Sequence, residues 1–423
     1  MEIKPPIAVR AALSVSLLLF CCQVVAVDWS VSGFGTLGYT YEDEDQLAYR
    51  RDITQTVDID DNGSWLTDSN FGLQLDGRFN HQWSFTTQLL LDNSTKHDLD
   101  ELTELAFIRY VPNEHWNFRV GRVGVSAYAA ADSRYIDYGY LWVRPSQELY
   151  GGIVFNSLDG VGVSYLSNNP EFNWSLKLEY GSNNQRGEIP QTNDDYTAEL
   201  QEVLSASFEV MQDNWKWQAS YANVGSLSIK QGASIQTLQS QLQQVSMLGI
   251  PGVSEEAAQA YEAMTLDDET VDYYHLAMLY FDGLWTLQTE LFHIDANKSS
   301  IPQGSGGYAL VGYSLDNITP YVMYGQFSPR YSPYSSSLDW GAVNPSFSLL
   351  QTGAEVGINS VRIDQSTYSL GVRWDLLPQL ALKAQVDYID INEFGYGLWA
   401  SDPSVLGSGR DAQVYTINLN FIF

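Results

Sequence analysis

Six basic side chains stand at the polar positions of alternating apolar runs, and the chemistry open to them is electrostatic rather than covalent. Arg78, Arg109, Arg119, Lys177, Arg373 and Lys383 each fall opposite a row of apolar neighbours. A strand turns successive side chains to opposite faces, so each charge points away from the apolar row. Arg122 lies where its run ends, and the pattern leaves its facing open. Charges that share a water-lined face act as a local electric filter. The other reading is that they pair with acids on the same face.

Covalent and metal chemistry find less support. Asp58-Ile59-Asp60-Asp61-Asn62-Gly63 matches the opening of a calcium loop, D-x-D-x-N-G. The twelfth position is Ser69, where such a loop needs a bidentate Glu. A solvated acidic turn is the expectation, with no metal and no cofactor. His275 and His293, the latter near Ser299, are candidate partners for a hydrolytic serine, yet no serine sits in a G-x-S-x-G turn. No catalytic residue is assigned, and the chain is not read as an enzyme.

These charges must be held by strands. Phe71, Leu73, Leu75 and Phe79 oppose Gln74, Asp76 and Arg78; Tyr368, Leu370, Val372 and Trp374 oppose Ser369 and Arg373; Leu380, Leu382, Val386 and Tyr388 oppose Lys383, Gln385 and Asp387. The same alternation gives strands over 28–41, 69–79, 82–92, 101–111, 115–124, 158–167, 172–181, 200–211, 215–224, 271–281, 284–295, 306–315, 318–327, 364–375, 379–390 and 412–423. Short polar turns lead at once into Trp83, Trp116, Trp174, Trp215 and Trp285, and Trp29 opens the first strand. Amphipathic rings repeated at strand starts mark one membrane–water rim. The long connections, 42–68, 93–100, 125–157, 182–199, 225–270, 296–305, 328–363 and 391–411, then all fall at the other rim. Within 225–270, Ile235, Leu238, Leu242 and Val245 recur at helical steps, Pro251-Gly252 interrupts, and a second helical piece follows from Ser254. Packing of this loop into the mouth of the barrel is expected. The fold class is all-β: a transmembrane antiparallel barrel of about 16 strands, within 14–18. Sixteen strands enclose more space than side chains fill, so an aqueous lumen follows.

The ends of the chain fit an exported barrel. Lys4 and Arg10 precede an apolar stretch from Ala11 to Cys22, and Val24-Val25-Ala26 offers a cleavage site. Residues 1–26 are therefore expected to be a signal peptide and 27–423 the barrel. The apolar stretch is too short to span a bilayer as a helix. Both cysteines, Cys21 and Cys22, lie inside it, which leaves no disulfide or thiolate metal site beyond it. Of the 423 residues, the 397 that follow Ala26 carry 19 basic and 50 acidic side chains, a net charge of −31. Such a balance excludes a general nucleic-acid surface. At the other end Tyr415, Ile417, Leu419, Phe421 and Phe423 share one face, and Thr416, Asn418 and Asn420 the other.

A terminal amphipathic strand closing on Phe423 resembles the signature of Gram-negative outer-membrane barrels, and the whole mature length resembles the porin family. The resemblance implies an outer-membrane location and a neighbourhood of outer-membrane lipids and lipopolysaccharide. It implies recognition of Tyr415, Ile417, Leu419, Phe421 and Phe423 by the barrel-assembly machinery, and a homotrimer. It also implies that the loop after strand five, 125–157, folds inward and narrows the pore, with loop acids facing wall arginines. Carried onto this sequence, the constriction set is Arg78, Arg109, Arg119, Arg122, Asp132, Arg134 and Asp137, with Glu148 and Arg144 on the same loop. The implied function is passive diffusion of ions and small hydrophilic solutes. A substrate-specific channel for a small anion or sugar, a surface receptor or adhesin, and an outer-membrane hydrolase stay open as alternatives. A gated iron-uptake transporter is excluded by length and by the lack of a plug domain.

Overall fold

A computed structural model describes residues 27–423 except 60, 94–97, 154, 170–171 and 190–193, and the expected signal peptide, 1–26, lies outside them. Sixteen antiparallel strands form one closed sheet: β1 (Asp28–Glu42), β2 (Asn70–Arg78), β3 (Trp83–Leu91), β4 (Thr103–Tyr110), β5 (Trp116–Gly124), β6 (Ser157–Asn169), β7 (Phe172–Ile189), β8 (Asp194–Gln212), β9 (Trp215–Lys230), β10 (Glu269–Phe281), β11 (Trp285–Ala296), β12 (Gly304–Tyr313), β13 (Ile318–Pro329), β14 (Ile363–Leu377), β15 (Leu380–Tyr396) and β16 (Arg410–Ile422). Each pairs with its chain neighbour, and β1 pairs with β16 to close the cylinder, with Leu37 opposite Leu419 and Tyr41 opposite Tyr415. Closure leaves no free sheet edge, which is what a sheet in lipid requires.

The alternation in sequence becomes inside and outside. Val31, Leu73, Ile108, Val120, Leu178, Leu291, Val322, Leu370 and Ile417 are all exposed on the outer face. At the short-turn rim, Trp83 stacks on Tyr110 at 4.4 Å, Trp215 meets Tyr280 at 4.5 Å and Trp285 meets Tyr313 at 4.8 Å. Among the described residues no helix is long and apolar enough to cross a membrane. At the seam, Phe423 exchanges two backbone hydrogen bonds of 3.0 Å with Gly33. Its ring lies where a side chain on Gly33 would be, 2.3 Å from an added Cβ, and Phe421 covers Gly35 in the same way at 2.5 Å. The apolar terminal face thus caps two bare positions of the first strand.

Three of the expected long connections differ from the sequence reading. Within 182–199, residues 182–189 and 194–199 are strand rather than loop, because β7 and β8 stay paired to Ile189 and Asp194. Beyond lipid a strand needs no apolar face, so hydrophobic alternation stops while the hydrogen-bond ladder goes on. The segment after β1 turns into the lumen, where Leu47–Tyr49 pairs with Trp399–Ser401 from the connection before β16. The connection 330–362 carries a helix that alternation alone did not reveal. Helices α1 (Ala233–Ser246) and α2 (Val253–Met264) match the expected helical spacing, and α3 (Phe347–Asn359) packs on both. Leu242, Val245, Ala257, Met264, Trp340, Ala354 and Ile358 form their shared core at the long-loop end of the barrel.

Candidate pore constriction

Gly124 ends β5, and the chain then crosses the lumen before β6 begins at Ser157. Much of the crossing is buried. Val125, Tyr128, Trp142, Val143, Leu149 and Tyr150 are buried within the same cluster or beside it. A buried loop must satisfy its backbone, and the wall supplies the donors. Lys383 Nζ donates to the carbonyls of Asp137 (2.6 Å) and Trp142 (2.8 Å). Arg373 donates to those of Tyr138 (2.6 Å) and Tyr140 (2.7 Å). Two of the six wall cations are therefore spent on holding the loop.

Arg144 is the central clamp. Its guanidinium bonds Asp68 at 2.6 Å and Asp387 at 3.0 Å, reaches Thr416 Oγ1 at 2.8 Å, and stacks 4.5 Å from the Tyr49 ring. Burial alone would lower its pKa, but Asp68, Tyr49 and Asp387 outweigh that and raise it. A second clamp joins two loops. Arg51 grips Asp137 with both terminal nitrogens, at 2.7 and 3.0 Å, while Asp52 takes Arg134 at 2.8 Å. On the opposite side Glu290 of β11 accepts from Tyr150 (2.7 Å), Tyr308 (2.5 Å) and the Ala129 amide (3.1 Å), and pairs with His275 at 2.7 Å. Burial pushes the Tyr150 hydroxyl well above its usual range, so it stays a donor.

The expected arrangement, acids on the loop facing arginines on the wall, is inverted. Loop carbonyls face wall cations, loop Arg144 faces the wall acid Asp387, and Asp137 and Arg134 find partners on the first external segment. Glu148 is held by Ser146, Gln365 and Thr367. The side chain of Asp132 lies outside the described residues. Arg122 shares a face with Val120 and Asp159, the outward one, and bridges Asp100 (2.8 Å) and Asp159 (2.9 Å) above the apolar band. Its strand parity, fixed by exposed Val120, takes it out of the lumen.

Three arginines do share the lumen face. Arg78 sits opposite Ser84, Ser84 opposite Arg109, and Arg109 opposite Arg119. The short Ser84 leaves space between the guanidiniums. Arg119 reaches Glu179 at 3.2 Å, and Arg109 bonds the neutral Asn117 at 3.0 Å. Both Arg78 and Arg109 are solvent-exposed. Arg78 and Arg109 pair with no carboxylate among the described residues.

The other candidates resolve as follows. In the acidic turn Asp61 accepts from the Gly63 amide at 3.2 Å, and Asp60 lies outside the described residues. Among the described residues no three His, Cys, Asp or Glu side chains cluster as metal ligands would. His293 meets Ser305 across the sheet at 2.8 Å, rather than Ser299. The sequence pattern did not single out Arg50, Arg51, Asp52 or Asp68. The signal was an apolar run inside a loop, Leu47-Ala48-Tyr49 directly before Arg50, echoed by Leu398-Trp399-Ala400.

A closed sixteen-strand barrel whose fifth connection crosses its lumen is the fold of Gram-negative outer-membrane porins. No family model matches the chain, and no curated protein matches its sequence. Solved structures do match. The outer-membrane channel DcaP of Acinetobacter baumannii superposes with a TM-score of 0.51 at 11% identity, covering 96% of this chain and 99% of that one. A loop L8 deletion mutant of OmpT, an outer-membrane protein of Vibrio cholerae, gives 0.50 at 12% identity, over 93% and 99%. An anion-selective porin from Comamonas acidovorans gives 0.48 at 9% identity, over 94% and 100%. With the Acinetobacter and Vibrio proteins, at these identities, the barrel fold is what is shared.

Proposed function

We propose that the chain is an outer-membrane channel through which ions and small hydrophilic solutes diffuse passively, exported by cleavage after Ala26. The observation that carries this is the loop clamped across the lumen by Arg144, which fills one side of the barrel and leaves Arg78 and Arg109 open to water on the other. A wall that served only as a scaffold would have no use for exposed, uncompensated guanidiniums inside a barrel. They give the open arc a positive field, and close low-dielectric walls strengthen it. Assembly as a homotrimer, and insertion through recognition of the terminal strand, belong to the same proposal. Liposomes carrying the purified protein test it. They should swell in small sugars and exclude large oligosaccharides, and liposomes that swell no faster than protein-free ones would count against a channel.

A further inference from the structure

Cavities of different chemistry lie on the two sides of the clamped loop. The one on the short-turn side, about 580 Å³, meets Asp213, Lys216, Arg373 and Asp375. The one on the extracellular side, about 320 Å³, meets Leu200, Val224, Phe292, Phe327 and Trp399. Ligand pockets run roughly 300–1,000 Å³, so the upper chamber suits a small molecule. Its apolar lining is unexpected, because the inward positions of a water-filled barrel are ordinarily polar. Ile235 of α1 and Met264 of α2 also line it, so the helical cap forms part of its enclosure.

One charge in this lining makes no direct ion pair among the described residues, although Asp52 acts on it from farther off. Arg50 is buried, and it donates to the carbonyls of Ile53 (3.2 Å), Gly397 (3.4 Å) and Trp399 (2.9 Å). Its Nε has no partner among the described residues. Arg51, Arg134 and Arg144 each hold a carboxylate, whereas among the described residues Arg50 holds none. Burial lowers its pKa to about 10, so it stays charged at neutral pH. A buried cation held by carbonyls without a contacting carboxylate is costly, and an anion that enters beside it relieves part of the cost. Glu148 and Glu188 also line the chamber and disfavour negative charge, so a carboxylate is stable there only beside Arg50 and a second one has no cation to meet.

We propose that the upper chamber binds small monocarboxylates with an apolar body, aryl or alkyl acids, on their way through the lumen. The ring or chain lies against Leu200, Phe292 and Phe327, and the carboxylate lies beside Arg50. This inference rests on the channel reading above and narrows its solute class. The test uses the folded full-length barrel in a planar bilayer with KCl, probed from the extracellular side with 4-phenylbutyrate, 4-phenylbutan-1-ol and gluconate. The aryl acid should interrupt the current with residence times about tenfold longer than either control, the range of one charge-assisted hydrogen bond. Arg50→Gln should erase the difference between acid and alcohol, and Arg50→Lys should retain part of it. Interruptions of equal length by gluconate or by the alcohol would overturn the proposal. A barrel that passes no KCl current strikes the channel reading alone. Calorimetric titration of the folded barrel in detergent with the same three compounds then decides the chamber. Saturable binding of the acid about tenfold tighter than the alcohol supports it, and equal or absent binding overturns it.

Discussion

The lumen wall has two arcs that begin from the same strand grammar and end in opposite physical states. Along β11–β16 the inward polar residues are dry: Glu290, Lys383, Asp387, Thr416 and Asn418 are all buried against the loop. Along β2–β5 the inward residues Arg78 and Arg109 remain in water. A polar residue on a barrel strand is thus not by itself a pore-lining residue. What decides is whether a loop carrying complementary groups is clamped over it. On the dry arc charge holds the structure, and on the wet arc charge is free to act on solutes.

Breaking the dry arc should have the largest effect. Arg144→Ala leaves Asp68 and Asp387 buried without their cation, a change that costs about 3–5 kcal/mol. The expected outcome is a lower unfolding midpoint in urea, with single-channel current that is larger and noisier as the loop loosens. Unaltered stability and current would show that the clamp does not hold the loop.

The seam comes next. Deleting Phe423, or replacing it with Asp, removes the ring over Gly33 and the outward apolar end of β16. The amount of heat-modifiable folded barrel in the outer membrane should fall several-fold on electrophoresis, and an undiminished yield would sink the idea. This expectation was legible in the last nine residues, because their alternation is local and unbroken. The partner of the polar face was not. Thr416 and Asn418 read as wet positions, and only tertiary packing shows them bonding Arg144 and Val143.

More generally, the sixteen strands could be read because lipid imposes one apolar face on each, and that constraint is written in every second residue. It lapses above the membrane. There the ladder of β7 and β8 runs on through Gly181–Glu188 without apolar alternation, and the sequence looks like a loop. The inward fold of 43–69 depends on contacts far along the chain, such as Tyr49 with Trp399 and Arg51 with Asp137, which no local pattern encodes. Helix α3 was within reach, since Phe347, Leu350, Ala354 and Ile358 recur at three- and four-residue steps.

On the wet arc the effects should be smaller. External acids such as Asp267 and Asp268 attract cations to the mouth, but their field is screened beyond roughly 8 Å at physiological salt. Cation preference should therefore be strongest at low ionic strength and weaken, or invert toward anions, as salt rises. Replacing Arg78 and Arg109 with Ser should shift reversal potentials toward cations by some millivolts, with stability unchanged. Arg119→Ser should shift them less, because Glu179 already offsets that charge. Equal shifts from all three would erase the distinction between paired and free arginines.

Accessibility gives the mildest test. Ala130 lies within the crossing loop and is buried. A cysteine placed there should react slowly with bulky impermeant thiol reagents and faster with small ones, and its modification should lower conductance. Rapid labelling by the large reagent would put this part of the loop outside the lumen.

The most direct measurement compares single-channel conductance of the native barrel with a variant whose residues 127–152 are replaced by a short Gly-Ser linker. The clamped-loop channel predicts discrete, stable current steps for the native protein and steps at least about twofold larger for the variant, because that segment is what fills the sixteen-strand lumen. Equal conductance in the two proteins, or no current from either, would contradict it.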